Sequence, residues 1–191
     1  KGYQFCIVDP EGDYRGIASS THSLSVNVTN AHVPAISELM NFIEWHNANI
    51  VVDMSDYDPE ARHIFLEELL YSLHGLRQRR GRPHWLLIDE IQSFCPPEGG
   101  EVTDLLLANL QEGQGIGIIS YRPTQVAPQL LQTLDHWLLT RMNAPEELEL
   151  LLPYLEKFPE GAEVIHQLPN APNGQAYLCS QAYRPITTQL R

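Results

Sequence analysis

The chain repeats one pattern: a short apolar run rich in branched and aromatic residues, a polar or acidic turn, then a stretch with apolar residues at helical spacing. That alternation suits a parallel sheet, because parallel strands need long crossovers and amphipathic helices supply them while covering the sheet. Strands are expected at residues 4–8, 49–53, 85–89, 117–120 and 137–140, with 176–179 closing the chain and a weaker candidate at 24–28. PAISELMNFIEWHN and PEARHIFLEELLYSLHGLRQRR read as helices entered through Pro34 and Pro59. Residues 105–111 and 146–155 read as two more, and EKFPEG and QLPNAPNG as loops by their Pro, Asn and Gly content. The expected class is α/β. A length of 191 residues with 43% hydrophobic content suits one domain over 1–191, of which 156–191 forms a tail with the closing strand.

Several strands end in polar residues that one sheet edge would gather: Asp9 in CIVDPEGDY, Asp53 in IVVDMSD, Asp89 and Glu90 in LLIDE, and Ser120 to Arg122 in IISYRP. Open parallel sheets bind ligands at the carboxyl ends of their strands. HWLLIDEIQSF is the most pointed case, an apolar strand that ends in two adjacent carboxylates. Such a pair suits nucleotide hydrolysis: Asp89 would hold the water shell of Mg²⁺ while Glu90 takes a proton from, or orients, the attacking water. A strand ending at a solvated acidic turn has the same string, so the neighbours decide. GIGIISYRPTQ, the next strand, places Ser120, Tyr121 and Arg122 where such ATPases carry a polar sensor of the γ-phosphate.

Composition narrows the partners. Twenty-four acidic against 12 basic residues give a formal charge of −12, which repels phosphate backbones and argues against this surface alone gripping nucleic acid. RQRRGR, residues 77–82, is the one basic cluster, and cations at a helix C-terminus account for it. Cys6, Cys95 and Cys179 are odd in number and far apart, which predicts reduced thiols in a cytoplasmic protein. Eight histidines lack metal-ligand spacing, and the three acids of 53–58 read as a solvated loop and helix cap. No apolar run approaches the roughly 20 residues that span a bilayer and no signal-peptide pattern opens the chain, so neither membrane insertion nor secretion is expected. Trp45, Trp85 and Trp137 sit in apolar patterns and read as core.

In series, these segments resemble the HerA/FtsK superfamily of P-loop ATPases, and within it the HerA-like branch. IVDPEGDY looks like that branch's Asp-Pro-x-Gly-Glu-Tyr strand motif, with Asp13 in place of the usual Glu. NIVVDMSDYDPEARHIFLEELLYSL is similar to its next strand and long helix, and LLIDEIQSFCP to its Walker B segment with the Phe-x-Pro tail. EGQGIGIISYRP is similar to the stretch that carries E-G-R and then S/T-Q-R-P, and HWLLTRMNAPEELELL to the strand and helix after it. The likeness covers nearly the whole chain in the right order.

The resemblance implies a three-layer RecA-like core with a mostly parallel sheet, ATP and Mg²⁺ as cofactors, and a homo-oligomeric, hexameric motor that translocates DNA, the last against the charge balance. It implies that Asp89 binds Mg²⁺ through water, that Glu90 polarises the hydrolytic water, and that Tyr121 or Arg122, with Ser120, senses the γ-phosphate. Asp9 and Glu11 would help to organise Mg²⁺ and its waters, although DPEG is equally ordinary turn chemistry. Arg141 would act in trans on a neighbour's nucleotide or pair with a local acid. Two substitutions depart from the pattern: Tyr121 stands where the family usually has Gln, and Gln114 where it often has Arg. G-x-x-x-x-G-K-[ST] cannot be placed, since the only lysines are Lys1 and Lys157. The chain is therefore expected to begin inside a domain whose P-loop strand and helix are cut off or supplied elsewhere, and to be inactive alone. The alternative is a nucleotide-fold module that has lost turnover and serves as a scaffold or regulatory partner.

Overall fold

Runs of Val, Ile and Leu at the predicted strands become the centre of a parallel sheet. In the computed structural model, which describes residues 3–17, 22–46, 48–181 and 183–189, the backbone alone at 183 and 184, the chain divides into two compact units. The first, Lys1–Tyr121, holds β1 (Phe5–Asp9), β2 (Ser23–Asn27), β3 (Asn49–Asp53), β4 (Trp85–Ile88) and β5 (Gly115–Ile118) in the order β2-β3-β1-β4-β5. Every neighbouring pair is parallel, with Cys6 level with Ile50 and Leu86, and Val8 level with Val52 and Ile88; all six are buried.

From β2 to β3, β3 to β4 and β4 to β5 the chain steps the same way across the sheet, so right-handed crossovers put the intervening helices on one face. Those helices, α1 (Ile36–Trp45), α2 (Pro59–Arg80) and α3 (Glu101–Gln111), are neighbours, with α2 packed against both others. Asp58 starts α2 by accepting from the Glu60 and Ala61 amides at 2.9 and 3.4 Å, ahead of a proline in the first turn, and Gly81 ends it at a φ of 65°. Leu66, Leu69, Leu70, Leu73 and Leu76 form its buried stripe.

Arg77, expected as a surface cation at the end of α2, is buried. It donates to the carbonyl oxygens of Pro83 and Gly115 and to Gln114 Oε1, at 2.9, 2.7 and 2.9 Å, which ties the helix end to the start of β5. This gives Gln114 a structural reason: an arginine there would set two guanidinium groups together, whereas a carboxamide oxygen satisfies the one already buried.

Arg122–Arg191 forms the second unit, built on the antiparallel sheet β6 (His136–Leu139), β7 (Gln175–Ser180) and β8 (Tyr183–Gln189) in that order. Its helices are α4 (Pro128–Thr133), α5 (Pro145–Leu155) and α6 (Gly161–Gln167). Buried Glu147 on α5 accepts from the Thr124 amide and hydroxyl at 2.8 and 2.6 Å. The turn from α5 to α6 closes so tightly at Gly161 that a Cβ there would lie 2.0 Å from the Leu155 carbonyl oxygen. Gly161→Ala is expected to destabilise the chain by about 2 kcal/mol, read from its urea midpoint, because backbone rather than a flexible side chain must move.

Four features depart from or add to the sequence reading. The strands anticipated at 137–140 and 176–179 pair with each other in an antiparallel sheet and take no part in the five-stranded parallel one. A helix fills much of the stretch between the two predicted loops, and β8 follows β7 although it contains Pro185; as the outer strand of its sheet it tolerates a residue without an N–H. Trp45 and Trp85 are 68% and 48% exposed, and only Trp137 is core. The Arg80 guanidinium stands 5.9 Å from the centre of the Trp45 ring, and the Trp85 ring lies against Gly115, whose missing side chain leaves it room.

Candidate functional site

The carboxyl end of β1 is organised by Asp9. Fully buried, its carboxylate accepts from the amides of Gly12 at 2.8 Å and Asp13 at 3.1 Å through one oxygen, and of Tyr14 at 2.9 Å through the other. Three amide donors fold DPEGDY back on the strand, and Gly12, at a φ of 83°, makes the bend. Glu11 is left exposed on the loop. Next in the sheet, Asp53 is buried rather than solvated, in contrast to the sequence reading, and accepts from Arg15 Nε and from the amide and hydroxyl of Ser55 at 3.0 and 2.7 Å. Burial pushes the Asp53 carboxyl up, but Arg15 and the two Ser55 donors outweigh it and hold the group below the usual carboxylate range.

The loop built on Asp9 carries Tyr14 to Asp89. The phenol donates to the Asp89 carboxylate, and burial together with that carboxylate's charge raises the Tyr14 pKa to about 12. Asp89 is itself buried and also accepts from the Glu90 amide at 2.9 Å. Glu90 occupies the left-handed region at φ 48° and ψ 44°, a conformation that costs a non-glycine residue about 1 kcal/mol and accumulates at functional sites. Its carboxylate accepts from Gln92 Nε2, and the Gln92 carbonyl oxygen accepts from Ser120 Oγ at 2.6 Å. Burial pushes the Glu90 carboxyl above its ordinary range against the pull of Gln92, and Asp89, Glu11 and Asp13 push the same way as burial.

Asp89, Glu90 and Ser120 therefore meet at the carboxyl edge of the first unit, beside Tyr14 and Gln92. Tyr121 closes that unit and is 60% exposed, while Arg122 and Arg141 belong to the second unit and are also exposed. Arg141 makes no ion pair among the described residues, so the local acid it was expected to find is absent there. Sequence reasoning missed Tyr14, Gln92 and Arg15. Tyr14 had a signal, as the last residue of the Asp-Pro-x-Gly-Glu-Tyr-like string. Gln92 had only its place two residues beyond Glu90.

Among the described residues no group of three or more His, Cys, Asp or Glu is placed to hold a metal ion. One buried carboxylate at a strand end is a donor set for Mg²⁺ held through water, which takes its remaining ligands from phosphate, and Asp89 fits that mode. The residues present supply acid, base and hydroxyl groups; no G-x-x-x-x-G-K-[ST] string in the chain supplies a phosphate nest.

No family model matches the chain, and no curated protein sequence matches it. Solved structures do. The genome packaging NTPase B204 from Sulfolobus turreted icosahedral virus 2, in complex with AMPPCP, superposes with a TM-score of 0.71 at 15% identity over 99% of this chain and 84% of that one. B204 from Sulfolobus turreted icosahedral virus, described as a DNA-packaging ATPase, gives 0.61 at 15% identity over 100% and 98%. VirB4 of Thermoanaerobacter pseudethanolicus gives 0.70 at 12% identity over 100% and 82%. Identities this low speak for architecture, and with the five-stranded parallel sheet and its helices they assign this chain the RecA-like P-loop ATPase fold.

Proposed function

We propose that the chain is the Walker B and sensor portion of an ATP-hydrolysing motor of the HerA type. The observation that carries this reading is the edge where Asp89 and Glu90 follow β4 and Ser120 follows β5, since acid pair and sensor come just beyond adjacent strands of a fold whose solved examples bind ATP analogues. Asp89 would hold Mg²⁺ through its waters, and the metal would neutralise charge on the transferred phosphoryl group. Glu90 would accept the proton of the attacking water, a task for which a raised pKa makes it a stronger base. Tyr121 or Arg122, with Ser120, would answer to the γ-phosphate, while Asp9 holds its loop and Glu11 on that loop would help to organise the waters of Mg²⁺. Arg141, exposed and without an ion pair among the described residues, suits a role in trans on the nucleotide of a neighbouring copy in a hexameric ring. DNA is the cargo that the HerA-type reading assigns, and the cytoplasm its compartment; no helix of the described residues is long and apolar enough to cross a membrane.

The exposed Tyr121 at the usual glutamine position supports a second reading, a nucleotide-fold scaffold without turnover. Phosphate release by the complete gene product, with and without DNA at two salt concentrations, separates the two. Hydrolysis is expected from the complete protein and none from residues 1–191 alone, whose phosphate release should equal that of its Glu90→Gln variant. ATP binding without hydrolysis by the complete protein would establish the scaffold instead.

A further inference from the structure

The single carboxamide of Gln92 spans the two groups on which the proposed chemistry depends. Gln92 lies in the tight turn Ile91–Ser93 directly after β4. That turn is fixed from both sides: the Ile91 amide donates to the Ile119 carbonyl at 3.0 Å, and Ser93 Oγ donates to the Glu90 carbonyl at 2.8 Å. The Gln92 side chain is therefore aimed rather than free to wander. Its Nε2 donates to the Glu90 carboxylate, and its Oε1 accepts from Ser120 Oγ at 2.6 Å. The amide orientation follows from chemistry, because a carboxylate only accepts and needs the NH₂ end, which leaves the carbonyl for the hydroxyl.

We infer that Gln92 is a positioning residue that couples Ser120 to Glu90, so that the direction of the Ser120 hydroxyl decides how firmly the Glu90 carboxylate is held. Ser120 has one hydroxyl proton. While it is donated to Gln92 Oε1 it cannot be donated to a phosphate oxygen, and when it turns away the carboxamide loses the bond that fixes its rotamer. Glu90 is then held by a side chain free to rotate. The segments that follow β5 and β4 thus share one hydrogen-bond chain at the same sheet edge.

Two measurements test this, and only the second rests on the ATPase reading. In the chain itself, without nucleotide, the Gln92 side-chain amide is followed by NMR at pH 7 and assigned by its absence in Gln92→Leu. Ser120→Ala is expected to shift its N–H resonances and speed their exchange with solvent, Ser120→Thr to restore them, and Glu90→Gln to shift them as the donated bond loses its charge. Unmoved resonances in Ser120→Ala would overturn the coupling. In the complete protein Gln92→Leu is expected to lower kcat about 10-fold to 100-fold with KM for ATP unchanged. Wild-type kcat in that variant would remove Gln92 from catalysis, whereas failure of the wild type to hydrolyse ATP would sink the ATPase reading and leave the amide resonances to decide the coupling.

Discussion

On the proposed ATPase reading, Glu90→Gln is expected to lower ATP turnover at least about 1000-fold while ATP binding persists. The substitution keeps the shape of the side chain and the backbone it occupies, and removes only the capacity to take a proton. Undiminished phosphate release would sink the catalytic assignment. The same substitution carries a stability signature with a defined sign. Burial and the acids Asp89, Glu11 and Asp13 raise the folded pKa of Glu90 above its ordinary 4.5, so the folded state binds the proton more tightly than the unfolded one. The stability this contributes is fully present below the unfolded pKa and is lost as pH rises through the folded pKa. At neutral pH wild type has lost it, and Glu90→Gln has no charge to bury. The variant should therefore unfold at higher urea than wild type at pH 7, and the difference should close on acidification below about pH 4. Equal midpoints at pH 7 would show that Glu90 is not held in the unfavourable environment described.

The strands of the first unit were legible because parallel strands buried by helices demand runs such as CIV, IVV and LLI, and each run ends at a polar residue on the carboxyl edge of the sheet. The meeting of Asp89, Glu90 and Ser120 at that edge followed from the same rule. Hydrogen bonding was not legible, since nothing in the string DPEGDY tells whether Asp9 turns toward a ligand or back on its own loop, and nothing in IDEIQS tells that Gln92 reaches both Glu90 and Ser120. Arg77 illustrates a second limit. At the end of a basic helix it reads as a surface cation, and only the cluster of oxygens from Pro83, Gln114 and Gly115 makes burial tolerable. In the second unit the expected strands at 137–140 and 176–179 and the helix at 146–155 form, whereas α4, α6 and β8 went unread, the helices because their signals are short and the strand because Pro185 argues against one everywhere except at a sheet edge.

Asp9→Asn should separate the two roles open to Asp9. In the structure one carboxylate oxygen serves the Gly12 and Asp13 amides and the other serves the Tyr14 amide, all beneath a fully buried side chain. An asparagine keeps the first oxygen as an acceptor and replaces the second with an NH₂ group, which would face the Tyr14 amide donor to donor. One buried amide is left without an acceptor and two bonds lose the assistance of charge, so a loss of about 3 kcal/mol is expected. That is a large share of the roughly 5–15 kcal/mol that holds a domain together, and it should appear as a lower urea midpoint of the chain with no nucleotide present. The disturbance should also travel, because the loop carries the phenol that bonds Asp89: the Tyr14 pKa, near 12 in the wild type, should fall toward 10 in ultraviolet titration as that phenol leaves the buried carboxylate. Were Asp9 instead a direct partner of Mg²⁺ or nucleotide, Asp9→Asn would leave the ligand-free stability and the Tyr14 titration at wild-type values and weaken nucleotide binding alone.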